Sequence, residues 1–258
     1  MTVYFIGAGP GDPELITVKG QRLLRSCPVI LYAGSLVPVE VLEGHNAELL
    51  VNTAELHLTQ IVELLAEAHA KGQDVARVHS GDPSLYGAIG EQIRHLRARG
   101  IPFQIIPGVT ATAACAALLE SELTLPGVAQ SVILTRYASK SEMPAGEQLG
   151  DLARHGTTMA IHLGVVHLHK IVAELLPHYG SDCPIAVVHR ASWPDQDWVS
   201  GTLADIEAKV HAKGFRRTAL IIVGRVLAAT DFADSALYNA ASQHLFRPTE
   251  TVAGQDGE

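Results

Sequence analysis

Val3-Tyr4-Phe5-Ile6-Gly7-Ala8-Gly9-Pro10-Gly11-Asp12-Pro13 is a short apolar run that ends in a glycine-rich turn. The run is near-continuous rather than alternating, the pattern of a strand covered on both faces. The glycines let the backbone turn sharply and approach a ligand closely. Similar short runs follow at Val29–Tyr32, Val75–Val78, Phe103–Ile106, Val132–Leu134, Met159–Leu163, Ile185–Val188 and Ala219–Val223. Between them the apolar residues recur at helical spacing. Leu58, Ile61, Val62 and Leu65 form one stripe, Leu168, Ile171, Val172 and Leu175 another, and Ile89, Ile93 and Leu96 a third that Gly100 and Pro102 terminate. Strands alternating with helices predict α/β layers with a mostly parallel sheet. Glu120–Gly127 reads as a linker with a turn at Pro126-Gly127, so two α/β domains are expected, residues 1–117 and 118–248. The polar segment 249–258 reads as a disordered tail.

Composition narrows the function. The 258 residues carry 19 Lys and Arg against 27 Asp and Glu, a formal charge of −8, with 47% hydrophobic residues. The acidic balance argues against a nucleic-acid partner, which a basic footprint would meet, and an aromatic content of 5% leaves little for base stacking. It does not forbid a local basic pocket. Cys27, Cys115 and Cys183 are widely spaced and suggest neither a zinc site nor a disulfide framework, so a reducing cytoplasm is the expected compartment. Met1–Gly11 has no basic run before its apolar stretch and does not read as a signal peptide. No stretch approaches the ~20 apolar residues of a membrane span, so no membrane partner is expected.

The glycine-rich turn resembles a dinucleotide fingerprint only superficially. GxGPG lacks the third glycine at GxGxxG spacing, and Pro28–Ser35 carries no acidic residue for ribose hydroxyls. Without GK[ST] it is not a phosphate-binding P-loop either. Two further loops follow predicted strands: Ser80-Gly81-Asp82-Pro83-Ser84-Leu85-Tyr86-Gly87 and Pro107-Gly108-Val109-Thr110-Ala111. In a parallel sheet all three leave from the C-terminal edge, where open α/β sheets bind ligands. None of them contains Lys or Arg, which argues against a polyphosphate ligand. An adenosine-containing cofactor without phosphates, such as S-adenosylmethionine, fits better, with backbone groups and a carboxylate such as Asp82 to hold it.

Gly7–Asp12, Ser80–Gly87 and Pro107–Ala111, in this order and spacing, resemble the signature of the tetrapyrrole methylase family, over nearly the whole chain to about Pro248. Leu31–Val37, Glu122–Arg136 and Cys183–Asp195 are similar to the branch that methylates C11 of precorrin-4 in cobalamin biosynthesis. The resemblance implies two α/β domains, the first sheet mostly parallel and the second mixed, with the cofactor in the cleft between them, in a homodimer. Carried over by motif, Pro10, Gly81, Asp82, Leu85, Thr110 and Ala111 contact S-adenosylmethionine from the first domain, and Leu163, Ala191 and Ala219 from the second. The substrate implied is a small-molecule tetrapyrrole, metal-free or cobalt-containing.

Two departures qualify the resemblance. The uroporphyrinogen-III branch carries an aspartate where Ala33 stands, so methylation at a later ring position is expected. The Gly-Arg pair that often follows the Thr-Arg element is absent after Arg136. A polycarboxylate substrate needs local positive charge, and Arg136, Lys140 and Arg190, at predicted strand ends, are the candidates. No catalytic base is assigned; Tyr32, Tyr86 and His79 are candidates by loop position alone. The nearest histidine cluster, His162, His167 and His169, does not read as a metal site. Rival readings are a methylase of the same fold acting on RNA or protein, and a non-enzymatic nucleotide or tetrapyrrole carrier.

Overall fold

A computed structural model describes residues 1–138 and 141–235. Among the described residues, ten strands form two five-stranded sheets. The first is built from β1 (Val3–Gly7), β2 (Val29–Tyr32), β3 (Leu49–Asn52), β4 (Val75–His79) and β5 (Phe103–Ile106), in the order β3-β2-β4-β1-β5, and every pairing is parallel. Its two faces bury different sets of side chains. Ile6, Ile30, Ala76 and Val78 pack with Leu23 and Leu24 of α1 (Val18–Ser26). Val3, Phe5, Val29 and Leu31 pack on the opposite face with Ile61 and Leu65 of α2 (Leu58–Ala70) and Ile93 and Leu96 of α3 (Ile89–Ala98). Burial on both faces explains why these strands read as unbroken apolar runs.

The second sheet is mixed. It contains β6 (Val132–Arg136), β7 (Thr158–His162), β8 (Pro184–His189), β9 (Asp197–Thr202) and β10 (Ala219–Val223), in the order β6-β7-β10-β8-β9. Only β6 and β7 run parallel; β10 is antiparallel to both of its neighbours. One face is covered by α5 (Leu149–Ala153), α6 (Leu168–Tyr179) and α7 (Ile206–Lys213). The other receives α4 (Ala111–Leu118), whose Cys115 packs against Ala160, Val188, Leu220 and Ile222. The third motif loop therefore runs directly into a helix seated on the second sheet, which ties the two halves at the cleft.

Two strands escape the sequence reading, β3 and β9. Both are edge strands, and both are largely exposed or half-exposed, so neither carries the long buried run that marks a central strand. The eight predicted strands are all present, within one or two residues at their ends. The segment assigned to a disordered tail and the substrate candidate Lys140 lie outside the described residues.

Gly90 offers a simple check of the helix assignment. It lies in the exposed first turn of α3, and a Cβ there would meet nothing within 4 Å. Gly90→Ala should raise stability by about 0.5 kcal/mol, because alanine loses less backbone freedom in a helix. Urea unfolding followed by circular dichroism measures it; a loss of stability would contradict the open environment.

Candidate active site

The register of the first sheet brings the three motif loops together. Gly7 at the end of β1 lies opposite His79 at the end of β4, and Ile6 lies opposite Ile106 at the end of β5. The loops then cross at three glycines. A Cβ on Gly7 would come within 2.6 Å of Gly108 Cα and 2.7 Å of the Gly81 carbonyl oxygen. The Gly81 N–H donates to the Gly9 carbonyl at 2.7 Å, and the Gly9 N–H returns a bond to the Gly81 carbonyl at 3.3 Å. Glycine is needed here for backbone-to-backbone contact, at a density that no side chain permits.

Asp82 fastens the second loop to the third. Its Oδ2 accepts the Gly108 N–H at 2.9 Å, and its Oδ1 accepts the Ser84 N–H at 2.8 Å and the Ser84 hydroxyl. Partial burial works to raise its pKa, but the bonds from the Ser84 hydroxyl and the Gly108 and Ser84 N–H groups outweigh it and hold the carboxyl below the usual range. Asp82 is therefore ionised and fixed in place.

Above these loops, and closed by the second half, lies a cleft of about 560 Å³. Pro10, Gly81, Asp82, Leu85, Thr110 and Ala111 line it from one side, and Leu163, Ala191 and Ala219 from the other. Contacts between the two walls include two polar ones at the cleft. The Trp193 indole N–H donates to the Pro10 carbonyl at 2.8 Å. His162 Nε2 lies 3.2 Å from Thr112 Oγ1, and its ring centroid is 5.1 Å from that of Tyr86. Tyr86, Leu163, Arg190 and Thr218 all line the cleft with φ between 49° and 57°, a conformation uncommon for non-glycine residues.

The ionisable groups of the cleft are mostly held in one state. Burial pushes His162 down to about 4, and burial followed by the nearby Arg77 charge pushes His79 down to about 3, so both are neutral at pH 7. His79 Nε2 is buried without a hydrogen-bond partner. Arg77 itself is buried, lowered only to about 10, and donates to neutral acceptors, Gln92 Oε1 at 3.1 Å and the Leu31 carbonyl at 3.3 Å. Burial raises Tyr86, with Glu147 acting in the same sense and Arg136 against it. Cys115 is driven up to about 12 by burial and is no nucleophile. Among the described residues, no group of three His, Cys, Asp or Glu side chains is arranged to hold a metal ion.

The basic candidates fare differently. Arg190 lines the cleft, but its guanidinium is committed to Asp195 at 2.6 Å and stacks 4.8 Å from the Trp193 ring centroid, with Nε buried and unpartnered. Arg136 is not among the lining residues; it donates to the Ser141 and Glu142 carbonyls and so holds the chain that follows β6. Of the loop-position base candidates, His79 and Tyr86 line the cleft and Tyr32 does not. Arg216 and Arg217 also line it and escape the sequence reading. They precede β10, and because β10 is antiparallel its N-terminal end, not its C-terminal end, faces the cleft. His162 and Trp193 enter the sequence reading only within a histidine cluster and a supporting motif.

Comparison with known proteins agrees with this geometry. The family profile of the Tetrapyrrole (Corrin/Porphyrin) Methylases matches residues 2–207. The Precorrin-4 C(11)-methyltransferase of Pseudomonas aeruginosa is 75% identical over 250 residues, spanning 97% of this chain and 100% of that protein. The crystal structure of a cobalamin biosynthetic enzyme, cobalt precorrin-4 methyltransferase, superposes with a TM-score of 0.86 at 40% identity, covering 88% of this chain and 96% of that one. The uroporphyrin-III C-methyl transferase of Thermus thermophilus, complexed with S-adenyl homocysteine, has a TM-score of 0.71 at 33% identity, over 88% of this chain and 99% of that one. With a profile match that takes in all three motif loops, and likeness to solved methyltransferases across both sheets, this chain belongs to the tetrapyrrole (corrin/porphyrin) methylase family.

Proposed function

We propose that the protein is an S-adenosylmethionine-dependent methyltransferase that methylates C11 of precorrin-4 to give precorrin-5 in corrin-ring assembly. The observation that carries this reading is the 75% identity to a precorrin-4 C(11)-methyltransferase over that protein's entire length. The cleft fits the cofactor: the three loops offer backbone donors and acceptors, one fixed carboxylate and no basic residue that would favour phosphate. Pro10, Gly81, Asp82, Leu85, Thr110 and Ala111 would hold it from the first half, and Leu163, Ala191 and Ala219 from the second.

The bound cofactor supplies an electrophilic methyl group, and the electron-rich macrocycle supplies the carbon nucleophile. The protein is left with alignment, which contributes roughly 7–11 kcal/mol when the bound geometry is close to attack. The rigid glycine crossing and the Asp82 bonds serve that purpose, since a fixed wall loses no ordering entropy when ligand arrives. Substrate carboxylates must find positive charge against a global charge of −8. We assign this to Arg190, Arg136 and Lys140 as read from the sequence, and add Arg216 and Arg217, which line the cleft with no carboxylate at ion-pair distance among the described residues.

A second substrate, cobalt-precorrin-4, is favoured by the structural likeness to the cobalt precorrin-4 enzyme. Parallel assays with the metal-free and cobalt substrates distinguish the two by kcat/KM. We infer a cytoplasmic homodimer. Three buried, unpaired cysteines suit a reducing compartment, and the edge strands offer apolar surface at Ile105 and Leu134, 42% and 39% exposed. Among the described residues, no helix is long and apolar enough to cross a membrane. Calorimetry with S-adenosylhomocysteine should give one saturable site per chain; absence of binding would remove the methylase reading altogether.

A further inference from the structure

We propose that Trp193 is a positioning residue for the cofactor: it latches residues 10–12 of the first loop to the second half and so sets one wall of the cleft, an inference that rests on the reading of the cleft as an S-adenosylmethionine site. Three consecutive residues of the loop are held by two consecutive residues across the cleft. The Trp193 indole N–H donates to the Pro10 carbonyl at 2.8 Å. A Cβ on Gly11 would overlap the indole, so the ring occupies the space that any side chain at Gly11 would need. The Asp12 N–H donates to Ser192 Oγ at 3.0 Å. Pro10 has no N–H and a fixed φ, so its carbonyl is the group by which the loop can be gripped.

The latch is itself braced. The Arg190 guanidinium lies over the indole at 4.8 Å and pairs with Asp195 at 2.6 Å, while the Ser192 N–H donates to Gln196 Oε1 at 2.9 Å. Arg190 and Ser192 adopt φ of 49° and 70°, which their neighbours must impose. Pro10, Ala191 and Trp193 all line the cleft, so the latch forms part of the wall. Arg190 therefore braces Trp193. A latched wall is preorganised, and loosening it must be repaid in binding free energy by the ligand that needs that wall. The effect should appear as a loss of cofactor affinity and a rise in cofactor KM.

The test combines S-adenosylhomocysteine calorimetry, steady-state kinetics and thermal unfolding on wild type, Trp193→Phe, Gly11→Ala, Trp193→Ala and the double variant Gly11→Ala/Trp193→Ala. Trp193→Phe keeps an aromatic side chain but loses the indole N–H bond to Pro10 and the five-membered ring that fills the space beside Gly11, so binding should weaken at least about fivefold. Gly11→Ala should weaken binding about tenfold beside the intact indole. It should cost less than about twofold once Trp193 is alanine, because contacting residues couple. Trp193→Phe with a lowered melting temperature but unchanged affinity and cofactor KM would reduce Trp193 to a structural residue and overturn the proposal. Additive penalties in the double variant would overturn it as well. Failure of the wild type to bind S-adenosylhomocysteine would instead remove the cofactor reading on which the proposal stands.

Discussion

Gly108→Ala should abolish methyl transfer by destroying the cofactor wall, with a loss of about 3 kcal/mol in S-adenosylhomocysteine binding or in fold stability. The added Cβ would overlap the Gly81 carbonyl oxygen and stand 2.8 Å from Gly7 Cα. Every atom it meets is backbone, so no side chain can swing aside. Relief requires the crossing of the three loops to open, and opening it breaks the Asp82 bond to the Gly108 N–H. The stabilising Gly90→Ala change controls for any general effect of replacing glycine. Calorimetry and urea unfolding of the two variants, side by side, make the measurement. A Gly108→Ala protein that binds and turns over like wild type would show that the crossing is not the foundation of the site.

Acid should destabilise the protein from about pH 6.5 downward. His79 and His162 are held neutral by burial, at about 3 and about 4 against an ordinary value of 6.5. The folded pKa values are depressed, so the unfolded chain binds more protons than the folded one throughout this window. Their contribution is fully present above pH 6.5 and is lost as pH falls toward the folded values. Each histidine removes up to about 1.4 kcal/mol per pH unit, and the two together about 2.7. Asp82 acts in the same sense but lower, because a carboxyl held below 3.8 loses its contribution only as pH falls through that range. Urea midpoints at pH 7.5, 6 and 5 should therefore drop steeply, and His162→Asn should roughly halve the slope. A midpoint that is flat between pH 7.5 and 5 would contradict the neutral state of both rings.

Much of this architecture is legible in the sequence because central parallel strands are buried on both faces and leave unbroken apolar runs. The three glycine loops are legible for the same reason: they mark where those strands end, and adjacency of β4, β1 and β5 brings them to one edge. Edge strand β9 carries a mixed polar sequence with no apolar run, and β3 offers only the three apolar residues Leu49–Val51, too short a run to read as a strand. Arg216 and Arg217 escape because a rule drawn from parallel strands places ligands at C-terminal ends, and β10 runs the other way. The Trp193 latch is illegible for a different reason. It joins residues 183 positions apart, and nothing local to Pro10 or Trp193 announces the partner. Arg190 shows the limit of charge arguments: a strand-end arginine reads as a carboxylate ligand for substrate, yet its own loop already supplies Asp195.

Methyl transfer to a single ring carbon can be followed directly. Purified protein should be incubated with precorrin-4 and S-adenosylmethionine labelled with carbon-13 in the transferable methyl group, and the product examined by NMR. A single enriched methyl resonance coupled to C11, formed together with S-adenosylhomocysteine, is the predicted result. Label at another ring position, or transfer to uroporphyrinogen III or RNA with precorrin-4 left unchanged, would contradict it.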